Sequence, residues 1–155
     1  MTNGPGRPRR SQEELHAASD RLWHEYWMLR SVARVAADDP ATAYALEESF
    51  ALHLRNLHRF LYPTRAVDAE ATAEDFLGTE WLSNRPTPSA LLLEAVAWAE
   101  LRLSPIRHEA SGAPHSWTLL QASFDVQKVM DPFVSSTPRH LLGPRWKITY
   151  EGVVV

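Results

Sequence analysis

Apolar positions recur at three- and four-residue steps over most of the chain, which is the period of a helix with one buried face. The first such stretch runs Leu15, Ala18, Leu22, Tyr26, Leu29, Val32 or Ala33, and Ala36. Ser11 and Glu14 stand ahead of it at the spacing of a capping box, and Asp38, Asp39 and Pro40 close it. A second helix starts at once, with Asp39 as N-cap and Pro40 in the first turn, where a missing N–H costs nothing. Its inner face reads Leu46, Phe50, His53, Leu57, Phe60 and Leu61, and Pro63 stops it. So short a connection between two long helices predicts an antiparallel hairpin.

The pattern then breaks. Ala71 to Leu77 reads as a short helix, and Gly78, Asn84, Pro86 and Pro88 read as a loop pinned by Trp81. A third long helix is expected with Thr87 as N-cap and Leu92, Val96, Ala99 and Leu103 facing inward. Ser104 and Pro105 interrupt it, and a short restart through Ile106, Arg107, His108 and Glu109 ends at Gly112 and Pro114. A fourth helix begins near Ser116, with Leu120, Phe124, Gln127, Met130 and Val134 on one face. Beyond Pro138 the pattern becomes irregular, and Ile148 to Val155 carries enough β-branched residues for one strand. The expected fold is all-α: an up-and-down bundle of about four long helices with one or two short ones, flanked by tails. The expected division is a disordered basic leader at 1–10, the bundle at 11–137 and a C-terminal tail at 138–155.

Composition narrows the function classes. At 155 residues, 45% hydrophobic and 23% charged, the chain has the balance of one globular domain. No apolar run is long enough to span a bilayer and no secretory leader is visible, so no membrane partner and a cytoplasmic location are expected. The absence of cysteine removes disulfides, thiol nucleophiles and cysteine-held metals. A net charge of −3 gives no general pull toward nucleic acid. Fourteen of the sixteen basic residues are Arg, which reads first as the codon bias of a GC-rich bacterial genome. Arg7, Arg9 and Arg10 make the leader basic, but three charges are few for an electrostatic arm.

Two groups of residues stand out chemically. His53 lies on the apolar face of the second helix and needs a hydrogen-bond partner, a backbone carbonyl or a carboxylate such as Asp75. Asn56 shares its side of the helix, Arg55 points elsewhere, and Glu47-Glu48 reads as a solvated face. His53 and His58 lie about 140° apart around a straight helix, and no two histidines are four apart, so no metal site or cofactor is expected. The second group is Arg102, Arg107 and His108 at the helix break, with His115 after it. A guanidinium can steady an anionic phosphorane while an imidazole moves a proton.

The stretch Glu48 to Leu57, the run Phe60-Leu61-Tyr62, and Ala73 to Leu77 together resemble a group of small uncharacterised bacterial proteins. That group is similar to the HEPN (higher eukaryotes and prokaryotes nucleotide-binding) superfamily of helical bundles. The resemblance follows element order over residues 11 to 135 and is specific at 47 to 77. It implies a homodimer, and either a metal-independent ribonuclease or a non-catalytic binding or dimerising module in a bacterial stress or defence system. Catalytic members use an Arg, four to six residues, then a His, and Arg102 with His108 has that count. Arg55 and Asn56 would then position a phosphate. This chain departs from the motif through Leu103 after the Arg and Pro105 within it, and Arg107 with His115 is too widely spaced. Those departures favour the non-catalytic branch, with RNA, a nucleotide or a protein as partner. Trp23, Trp27, Trp98 and Trp117 lie beside already complete stripes, a surplus that also suggests an interface between two copies.

Overall fold

A computed structural model describes residues 9–64, 70–104 and 116–146. The fold is all-α. Among the described residues it comprises α1 (Gln12–Val32), α2 (Pro40–Leu61), α3 (Ala73–Leu77), α4 (Thr79–Asn84), α5 (Ala90–Arg102) and α6 (Leu119–Ser136), followed by a 3-10 turn at Arg139–Leu141. The restart at 105–109 and the strand at 148–155 lie outside the described residues.

The helix starts follow side-chain chemistry. Ser11 accepts from the Glu14 N–H while Glu14 accepts from the Ser11 N–H, which completes the predicted box. Asp39 accepts from the Thr42 N–H at 3.0 Å, with Pro40 in the first turn of α2. α5 begins two residues later than expected, because Ser89 rather than Thr87 accepts from the Leu92 N–H. Thr87 and Pro88 therefore lead into the cap instead of forming it. Thr118 and Gln121 box the start of α6 in the same way as Ser11 and Glu14.

Two elements differ from their sequence pattern. The expected loop after Gly78 contains α4. Gly78 has a φ of 72°, a left-handed turn that glycine adopts without strain, and it redirects the chain so that Trp81 enters the core from a new helical turn. In α6 the buried positions are Ala122, Val126, Val129, Met130, Phe133 and Val134, whereas Leu120 and Phe124 are exposed. The true stripe is rotated toward small residues, because Ala122 and Ser123 let α6 approach its neighbours closely and Phe124 would not.

Phe133 stands at the middle of the core, with Phe60, Phe76 and Trp81 packed edge-on to it at 5.2 to 5.7 Å between ring centres. This geometry sets positive ring edges against negative faces. The segment after α6 joins the core through Trp146. Its ring is fully buried and stacks on Tyr26, its Nε1 donates to the Ser19 carbonyl at 3.0 Å, and the Gly143 N–H donates to Ser19 Oγ at 2.9 Å. At the other end of the chain, Arg10 donates to Asp75 Oδ2 and to the Glu70 carbonyl, which ties the start of α1 to the start of α3. No helix among the described residues is long and apolar enough to cross a membrane.

Candidate functional site

α1 places one acid on its buried stripe. Glu25 lies three residues after Leu22 and four before Leu29, and all three are buried. A carboxylate there must be matched by donors, since an unpaired buried charge is prohibitive. α2 and α1 itself supply them. His53 Nδ1 lies 2.6 Å from Glu25 Oε2, Asn56 Nδ2 donates to the same oxygen at 3.2 Å, and Arg21 Nε donates to Oε1 at 2.8 Å. Burial pushes the Glu25 carboxyl upward, but the hydrogen bonds from His53, Arg21 and Asn56 and the charge on His53 outweigh it and hold the group at about 2. The ionised carboxylate can only accept, so His53 Nδ1 carries a proton. His24 packs edge-on to the His53 ring at 5.8 Å.

Arg21, Glu25 and Asn56 of this cluster line a cleft of about 570 Å3 between α1, α2 and the chain at Glu70 and Ala71. Arg10 and Arg59 line it too, with Leu22, Leu57 and Phe60 as its larger apolar side chains. The volume is in the range of small-ligand sites, and the lining is strongly charged, with three Arg and three Glu among its residues. Arg59 is half exposed and donates through Nη2 to Glu100 at 3.0 Å.

The sequence-predicted residues fall into three sets. His53 and Asn56 come together as expected, although the partner of His53 is Glu25 and not Asp75. Asp75 is engaged by Arg10 and by the Thr72 N–H, because it closes the capping box of α3. Arg55 is half-buried, and its Nε has no hydrogen-bond partner. Arg102 forms a second set. Its guanidinium lies 2.8 Å from Glu47, over the Tyr44 ring at 5.0 Å and over the Trp98 ring at 5.5 Å. Glu47 is therefore a half-buried ion-pair partner, not part of a solvated face; Glu48 is exposed. Glu47 and His53 are six residues apart, which puts them about 120° apart around α2, so Arg102 and His53 are held on different sides of that helix. Arg107, His108 and His115 lie outside the described residues.

The remaining aromatic surplus divides. Trp117 is buried edge-on against Trp98 at 5.3 Å, while Trp23 and Trp27 stack at 5.9 Å with Trp27 42% exposed. Sequence reasoning missed Glu25 and Arg21. The signal was present, since a lone acid on an apolar stripe and a lone imidazole on a neighbouring stripe are complementary. Among the described residues no group of three His, Asp or Glu side chains is placed to hold a metal ion. No protein-family model, curated protein or solved structure matches this chain.

Proposed function

We propose that this chain is a non-catalytic, HEPN-like helical binding module that pairs with a second copy of itself and takes its ligand in the α1–α2 cleft. The observation that carries the reading is the state of Arg102. A guanidinium that stabilises a phosphorane must be open to an approaching anion, and this one is 19% exposed, paired with Glu47 and covered by the Tyr44 and Trp98 rings. Its role there is to fasten α5 to α2. The cleft supports the binding half of the reading through its volume, its apolar side chains and its fixed carboxylate.

The test is direct. The purified chain, incubated with single-stranded RNA in EDTA, leaves the RNA intact. Cleavage in EDTA that disappears in His108→Ala overturns the non-catalytic reading in favour of the Arg/His ribonuclease. The pairing is tested separately by light scattering, with Trp27, Leu93, Leu101 and Phe124 as the exposed apolar side chains available to an interface. A mass of about twice 17.6 kDa is expected, and a mass of one chain removes the dimer.

A further inference from the structure

α5 carries more apolar surface than its own chain covers. Ten of its thirteen residues are apolar, and a helix that is apolar all round is one that is covered all round. Within the chain α5 packs on α2 and α6 and buries Leu92, Ala95 and Ala99. Ala90, Leu93, Ala97 and Leu101 follow one another at three- and four-residue steps on the opposite side, and all four are exposed. Leu93 and Leu101 are each about half exposed. The other exposed apolar groups make shorter stretches: Leu120 and Phe124 cover one turn of α6, and Trp27 leans on Trp23 within α1.

The order of residues on this face of α5 reads the same in both directions about Ala97. Leu93 and Leu101 stand four residues to either side, and Glu94 and Glu100 three. A face of this kind matches itself after a half-turn, which is the condition for an interface between two identical chains. The small central residue lets two backbones come close, and a leucine on each side of the crossing fills the space where the helices part. The charges at the edges tolerate a second copy. A half-turn brings each glutamate toward its own counterpart, about 9 Å away along the helix axis. Glu100 already carries Arg59 at 3.0 Å, and Glu94 faces water, so neither edge traps an unpaired charge.

We infer that two copies of the chain pair through α5, antiparallel, with the two-fold axis at Ala97. The opposed orientation sets the helix dipoles head to tail and lays Leu93 of one copy beside Leu101 of the other. One helix pair buries less than the about 1,200 Å2 at which standard interfaces begin, so the association is weak and depends on concentration. The seam rests on the pairing proposed for this chain and specifies which surface makes it.

Sedimentation equilibrium of the full chain up to about 100 μM, a range suited to so small an interface, gives a dimer. Ala97→Glu sets two carboxylates against each other at the axis and lowers the association constant by about a hundredfold. Leu120→Glu, on the exposed face of α6, leaves it unchanged, and circular dichroism checks that both variants stay folded. The chain has no cysteine, so a single introduced one can link only to its own copy. Ala97→Cys gives a disulfide-linked dimer on mild oxidation, because the two Cα atoms at the axis lie within the about 7 Å that a disulfide spans. Leu101→Cys stays unlinked, since its counterpart is about 12 Å away along an antiparallel pair. Linking of both cysteine variants overturns the antiparallel arrangement. A dimer that survives Ala97→Glu, or that Leu120→Glu dissociates, overturns the seam and leaves the pairing standing. The mass of one chain at the highest concentration removes the pairing itself.

Discussion

Replacing Glu25 with Ala lowers the unfolding free energy at pH 7 by about 3 kcal/mol, the scale on which breaking one side of a buried ion pair acts. The same figure follows from linkage, because a carboxyl held near 2 instead of 4.5 corresponds to about 3 kcal/mol. The sign is fixed by the direction of the shift. The folded group binds its proton less readily than the unfolded one, so the stabilisation is fully present above pH 4.5 and is lost as pH falls toward 2. Urea unfolding curves should therefore show wild type and Glu25→Ala well separated at pH 7 and drawing together near pH 2. A constant gap across that range would mean that packing, and not the charge, dominates the site.

Trp146→Ala is expected to cost about 4 kcal/mol, in the range for removing a fully buried aromatic side chain. The indole fills the space against Tyr26 and also satisfies the Ser19 carbonyl, so the variant loses contacts and leaves a buried acceptor exposed to a cavity. A fall in Tm on the order of 10 °C accompanies it for a chain of this size. Val35→Ala, at 54% exposure, provides the contrast, with a change of under about 1 kcal/mol. Equal losses in the two variants would show that residues 139–146 are not part of the cooperative unit.

Much of the fold is legible in the pattern of the chain. Ser11 with Glu14, and Asp39 with Pro40, specify helix starts through local hydrogen bonds that need no tertiary context. The hairpin of α1 and α2 follows from their adjacent stripes. Legibility fails where tertiary packing overrides pattern. Phe124 is apolar and correctly spaced, yet Ala122 and Val126 face the core, since close helix approach favours small residues there. Gly78 looks like the start of a loop, but its left-handed backbone joins two helices.

The candidate site was half legible for a related reason. His53 and Asn56 share a helix face by spacing alone, whereas their partner is on another helix 28 to 31 residues earlier. Nothing local to Asp75 told against pairing with His53. Only the fold shows that Asp75 belongs to the cap of α3 and to Arg10.

The hydrogen bond from Trp146 to Ser19 joins positions 127 residues apart in the chain. During synthesis α1 and α2 can meet early, but one flank of α1 stays uncovered until position 146 has left the ribosome. Loop closure over such a span is slow compared with forming a helical hairpin. The flank of α1 at Ser19 and Tyr26 is therefore completed by the segment farthest from it in sequence, so its closure is a non-local step that cannot precede the arrival of Trp146.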